Sequence, residues 1–455
     1  MSGPKVVKVV TREEQIATCS ALLAQLNRGV TQWINECNRL GGIDNVDIGK
    51  VLKTKEKIEA YLKNENFQQI QIQVPRELSY LVRDLEQRRD RAAEVSANTM
   101  QIIRQQRKNA EILLRELEKK SFTLDSEILR ALTEICKSYE KIPYAEKILS
   151  EAFSIVTNRG LPPTITNEQR ELAARLSSGE NKQSFTDWVN ERSHRQDDRV
   201  KKVDKKIAEL QNYLDEKISS TFLSRLRSIE LESDESLLNA RLDSLVIELS
   251  IAVEKAKQDE SILNKAYDLL ASIEAAQNLY KDGSLFLVHR DLADALSKKD
   301  LVAVSSAMEI CTGILKAINE KSAADNRRNA ILSGLASLGY EVNESMSTAF
   351  TNKGRVVVQK PNLPGYGVEL AGAPDAARLQ VRAVTFTHNR DHNRERDVET
   401  IWCNDFHKLQ ELISSNGGSI SIEKSFEIGA VPLHVVPVPD QIVGEIQGHA
   451  SVFRK

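Results

Sequence analysis

The sequence predicts a mostly α-helical protein: a bundle of long helices with coiled-coil character, followed by a small C-terminal α+β domain. Three observations carry this. No proline occurs from Thr164 to Lys360, whereas Pro361, Pro364, Gly365, Gly367, Gly372 and Pro374 crowd together directly afterwards. Helix interiors tolerate neither residue well, so the change in density marks a change of architecture. Apolar residues before that point recur at alternating steps of three and four, the period of a helix face. Charged residues make up 28% of the chain and aromatics only 5%, which suits long helices that bury one stripe and solvate the rest.

The first helix is expected to start at Thr11, because Thr11-Arg-Glu-Glu14 has the form of a capping box, in which the hydroxyl and the carboxylate satisfy otherwise unpaired amides. Ile16, Leu22, Leu23 and Leu26 give it an apolar face, and Gly41-Gly42 end it. A second helix runs from Ile48 to Tyr61. A long one over 76–120 follows Pro75, with Leu78, Leu85, Ala92, Thr99, Gln106 and Leu113 as its core line. Half of these are small or polar, so the helix is expected to pack on another helix of the same chain. Two shorter helices broken at Pro143 occupy Leu124 to Val156, and Pro162-Pro163 mark a linker.

The strongest periodicity comes next. Val200, Val203, Ile207, Leu210 and Leu214 form one register. Leu238, Leu242, Leu245, Leu249, Ala252, Ala256, Asp259, Leu263, Ala266, Leu270 and Ile273 form a longer one, sustained for about five heptads, as a coiled coil requires. Val246, Val253 and Ile262 widen the stripe, which favours a hairpin or small bundle over a two-stranded seam. A break at Lys281-Asp282-Gly283 precedes two more helices ending near Leu338-Gly339.

Beyond Tyr340 the period falls to two. Strands are expected at 355–358, 367–370 and 379–384, then a helix over 397–415, a strand at 419–423 and an extended tail containing Pro432, Pro437 and Pro439. The expected domains are therefore 1–160 (helical bundle), 161–325 (helical, coiled coil), 326–426 (α+β) and 427–455 (tail).

Several function classes find no support in composition. A net charge of −2 gives no overall pull toward nucleic acid or an anionic membrane. Five scattered cysteines, Cys19, Cys37, Cys136, Cys311 and Cys403, with no CxxC pair, suggest reduced thiols in a cytoplasmic protein. The opening MSGPKVVKVVTREE lacks the apolar core of a signal peptide. No run of about 18 uncharged apolar residues stands out, so no membrane-spanning helix is expected.

The motif search is equally sparse. Gly42 to Gly49-Lys50 superficially has a P-loop outline, but the spacing is wrong, and Val51 stands where a magnesium-binding hydroxyl is needed. No cofactor is expected. His388, His392, Cys403 and His407 are the only weak candidates for metal ligands, as two pairs spaced four apart. Arg390, Arg394 and Arg396 are the candidate interaction residues, and Lys201, Lys202, Lys205 and Lys206 form a second basic run; both are interleaved with acids, the usual composition of a solvated face. Glu369 and Asp375 lie near the strands where a nuclease core of this topology would place its acids, but the strand Gln380-Val381-Arg382 lacks both the acid and the lysine of that motif.

These observations favour a cytoplasmic coiled-coil scaffold or adaptor subunit of a multiprotein assembly over an enzyme. Protein partners, including a second copy of the chain, would bind along helical seams, and the C-terminal domain would engage a further partner. The competing expectation is a nucleic-acid-binding or degenerate nuclease-like protein acting through the C-terminal domain. No membrane role is expected.

Overall fold

The computed structural model describes residues 4–41, 44–119, 126–158, 198–213, 216–230, 232, 234–343, 346, 354–372, 378–388 and 391–437. They form the predicted class. Strand β1 (Lys5–Val10) leads into α1 (Arg12–Arg39), α2 (Asn45–Lys63), α3 (Phe67–Lys119), α4 (Ser126–Lys137) and α5 (Ala145–Asn158). After these come α6 (Asp198–Gln211), α7 (Glu216–Glu230), α8 (Glu235–Tyr280), α9 (Gly283–Lys298) and α10 (Leu301–Ser337). The chain then forms β2 (Arg355–Gln359), β3 (Tyr366–Ala371), β4 (Arg378–Thr385), α11 (His392–Ser415), β5 (Ser419–Ser425) and β6 (His434–Val435).

Two compact units emerge. One comprises 1–32, 44–80 and 262–455, the other 33–43 and 81–261. They do not coincide with the boundaries expected at 160, 325 and 426, because α1, α3 and α8 each contribute to both.

The first unit holds the sheet, ordered β2-β3-β4-β1-β5, with β6 parallel to β4. Its principal correction to the sequence reading is β1, which was not anticipated. Lys5 to Val10 alternates, burying Lys5, Val7 and Val9, and the strand lies between β4 and β5, antiparallel to both. The sheet therefore takes a strand from well outside 326–426. Helix α11 covers one face through Val398, Trp402, Phe406, Leu409 and Ile413, packed with α10's Ile331, Leu332 and Leu335. Each fully buried side chain of this size contributes about 1.5–3 kcal/mol relative to exposure. Gly334 of α10 meets Leu409 so closely that a β-carbon there would overlap it. Elsewhere in this unit, α9 and α10 form a hairpin whose Leu285, Val288, Leu292, Val304 and Cys311 pack with Ala266 and Ile273 of α8. Arg28 of α1 reaches Asn264 and Asp268 of α8, and Arg327 of α10 pairs with Glu14.

In the second unit the long register finds its partners within the chain. Leu242, Leu245, Leu249, Val253 and Ala256 of α8 pack on Val203, Ile207 and Leu210 of α6 and on Leu226 and Ile229 of α7. This is a helical bundle. Ala110, Leu113 and Leu117 of α3 join Leu132 and Ile135 of α4 and Leu149 and Ala152 of α5 in a second core. The buried line of α3 runs through Leu81, Arg89, Ala93, Ala97, Ala110 and Leu113; it departs from the expected line over 81–110 and meets it at Leu113.

Other boundaries shift for local reasons. Thr11 accepts from Glu14 N–H at 3.3 Å, so α1 starts as expected. Helix α3 begins at Phe67, upstream of Pro75, which lies within it. Helix α11 begins at His392, five residues before the expected 397, because the Asp391 carboxylate accepts from the amides of Asn393 and Arg394. The expected linker and Leu214 lie outside the described residues. The expectation about membrane length is also corrected. Helix α10 contains an 18-residue window of mean hydropathy 1.6, long and apolar enough to cross a bilayer by length and composition, with 11% of it buried.

Candidate functional site

The alternation of β3 and β4 sorts their side chains onto two faces. Val368, Leu370, Val381 and Ala383 join the core under α11, so Glu369 and Arg382 point from the opposite face. They are directly opposed in register, and Arg382 Nε donates to Glu369 Oε2 at 2.7 Å. His434 of β6 places Nδ1 3.2 Å from Arg382 Nη2 and 3.7 Å from the same carboxylate oxygen. Glu369 is 1% exposed, and burial of that kind demands the guanidinium beside it. Asp375, the third residue of the nuclease comparison, lies outside the described residues. The segment from His388 to His407 belongs to α11 and the loop before it, across the sheet, so the structure does not bring that constellation together.

The four metal-ligand candidates are separated as well. His388 is in the loop, and His392 is in the first turn, 3.8 Å from Glu395. Cys403 is half-buried, and His407 is exposed. His392 and Cys403 are roughly 16 Å apart along the helix axis at 1.5 Å per residue, too far to share an ion bound at about 2.0–2.3 Å. Among the described residues no three or more His, Cys, Asp or Glu groups converge as metal ligands. Of the interaction candidates, Arg390 lies outside the described residues. Arg394 stacks 5.7 Å from the Tyr366 ring, and Arg396 lies against Gly429. Two positions apart on a helix they point about 200° apart, so they form no single patch. Lys206 of the second basic run is paired with Glu209.

Under α11 the structure gathers groups that the sequence reading missed. Lys5 is 1% exposed, and among the described residues its Nζ has no hydrogen-bond partner. Burial holds its amine below the usual lysine range, against the pull of Cys403 and Glu399. Burial pushes the Glu399 carboxyl up, although Gly429 N–H donates to it at 2.6 Å. His392, Glu395, Arg396 and Glu399 line one wall of a 280 Å³ cavity, and Gly429 to Leu433 form the other. Further along α11, Asp405 accepts from Tyr340 Oη at 3.0 Å and from Lys360 Nζ at 2.7 Å, and burial raises the Tyr340 hydroxyl above its ordinary range. A signal for the strand that carries Lys5 was present: four of the six residues in Lys-Val-Val-Lys-Val-Val are valine, a β-branched residue.

The feature with the plainest binding chemistry is the sheet's rim. Strand β5 is terminal in the order, so among the described residues no strand pairs with its outer side. Ile422, Phe426, Ile428 and Val431, in β5 and just after it, are each more than a third exposed. An unpaired row of backbone amides and carbonyls flanked by apolar side chains is a template for another strand. No family model, curated protein or solved structure matches the chain.

Proposed function

We propose that this protein is a non-enzymatic scaffold or adaptor subunit whose C-terminal sheet recruits a protein partner by strand addition at β5. The observation that carries the reading is the outer edge of a seven-residue strand, which is open among the described residues. Edges of that length are ordinarily blunted by proline, bulges or a covering element. Here a bulge lies near Glu423, and the exposed apolar side chains follow beyond it.

Helical surfaces supply further contacts of the coiled-coil kind. Ile247 and Ile251 stand four apart on α8, and Val95 and Ile102 stand seven apart on α3, all at least half exposed. Helix-borne apolar pairs at these spacings suit partner helices or a second copy of the chain. A reducing, cytoplasmic setting fits the five free thiols.

The test is quantitative affinity purification from the native host, comparing the wild-type chain with Ile422→Lys, which places a charge on the open edge. A stoichiometric protein partner lost in the variant supports the reading, provided the variant keeps its helical circular dichroism. Recovery of nuclease-sensitive nucleic acid without protein sinks it.

A further inference from the structure

In the second unit, three basic side chains converge where α3, the turn after α4 and α7 meet. Arg104 is fully engaged: it forms a fork with the buried Asp204, one bond at 2.8 Å, and also pairs with Glu230. Arg107 and Arg227 differ. Their guanidinium carbons lie 3.8 and 3.5 Å from the centroid of the Tyr139 ring. Two groups that close cannot share one face of the ring, so they flank it. That places two positive charges about 7 Å apart at most, inside the ~8–10 Å over which charges still interact in physiological salt.

Among the described residues neither guanidinium has a carboxylate within ion-pair distance. Arg107 donates only Nε, to the Cys136 carbonyl at 3.1 Å, which leaves its terminal nitrogens available. Arg225, two residues before Arg227, is by contrast paired with Glu248. The turn that presents Tyr139 is fixed locally, since Ser138 Oγ accepts from Glu140 N–H at 3.1 Å. Arg104, Arg107, Arg227 and Tyr139 line a cavity of about 100 Å³, floored by apolar side chains such as Met100 and Leu226. The one acid in its wall, Glu230, is already held by Arg104.

We infer that this cavity is an anion site for a phosphoryl group, with Arg107 and Arg227 as its two forks. Planar guanidinium forks match phosphate oxygens, and the near-dianionic charge of a phosphate monoester balances two uncompensated arginines. The volume is below the roughly 300 Å³ of an ordinary small-molecule pocket, so the site takes the phosphoryl group while any ester substituent extends outward. Occupancy would tie α3, the Tyr139 turn and α7 together. Nothing in this assignment depends on the edge of β5.

The probe is inorganic phosphate titrated into the full-length protein, followed by phosphorus NMR line broadening and by thermal unfolding, with potassium chloride at matched ionic strength as control. Wild-type protein should bind phosphate and unfold at higher temperature than in chloride. Arg227→Gln, which removes a group with no ionic partner among the described residues, should weaken binding roughly tenfold or more, the size expected for a charge-assisted hydrogen bond. Arg227→Lys should recover only part of it. Glucose 6-phosphate in place of inorganic phosphate separates a site for esters from one for the free ion: tighter binding of the ester assigns the former. Equal stabilisation by chloride and phosphate, or undiminished binding in the folded Arg227→Gln variant, overturns the assignment.

Discussion

Lys5 Nζ stands 5.0 Å from the centroid of the Phe406 ring, which joins the strand that opens the described chain to the helix that covers the C-terminal sheet. The contact is a cation–π pair in a place where the ammonium has no hydrogen-bond acceptor among the described residues. Such a pair contributes about 0.5–2 kcal/mol, while an unsatisfied buried polar group costs about 1–3 kcal/mol. Lys5→Met keeps the aliphatic stem and removes the penalty, so it should stabilise the protein by about 1 kcal/mol in urea unfolding. The pH dependence has a definite sign. The folded amine lies below its ordinary value, so between the two values the unfolded chain holds a proton that the folded chain lacks. Wild-type stability therefore rises relative to Lys5→Met as pH climbs from the lowered value toward the ordinary lysine value of about 10.4. A parallel pH dependence in the two proteins would show that Lys5 remains ordinary in the fold.

Arg89 of the second unit is its ionic centre. It donates to Glu260 at 2.6 and 2.7 Å and to Glu36 at 3.0 Å while itself 6% exposed. Arg89→Met leaves two carboxylates facing each other and should destabilise by about 3–5 kcal/mol.

Glu36 gives the acid side of that prediction. Burial pushes its carboxyl up, but hydrogen bonds from Arg39 and Arg89 prevail and hold it below the usual range. Its contribution is complete above about pH 4.5 and is lost as pH falls through the lowered value. Acid titration of unfolding should show this loss in wild type and not in Glu36→Gln.

Gly334 tests how α10 crosses α11. A β-carbon there would lie inside contact distance of Leu409 Cδ1, so Gly334→Ala should destabilise by about 1–3 kcal/mol, the cost of overpacking a core. Leu409→Ala removes the clashing atom, so the loss in the double variant should be smaller than the sum of the two single losses; full additivity of the two changes would exclude the contact.

Much of the helical part was legible because a period near 3.6 and local caps act over a few residues. Asp282 caps α9 and Asp300 caps α10 through bonds that span two or three positions, and the Leu242–Leu249 stripe is buried as its spacing implies. The sheet was only half legible. Strands β2 to β4 are a meander, each pairing with its sequence neighbour, and all three were expected. Strand β1 was hidden because its partners, Val381 and Ile422, lie hundreds of positions away, and no local rule encodes such pairing. The site residues were harder still. Arg394 and Arg396 read as one cluster in sequence, yet helical geometry points them apart. Lys5 and Glu399, or Arg107 and Arg227, become neighbours only once the chain has folded.

Hydrogen–deuterium exchange on the protein alone and with its captured partner reads out the pairing of the outer edge of β5. Strand addition predicts that amides from Ser421 to Glu423 slow by roughly tenfold or more on binding, as newly paired backbone does. A partner that binds stoichiometrically while exchange across β5 stays unchanged would place recognition elsewhere and rule out strand addition at this edge.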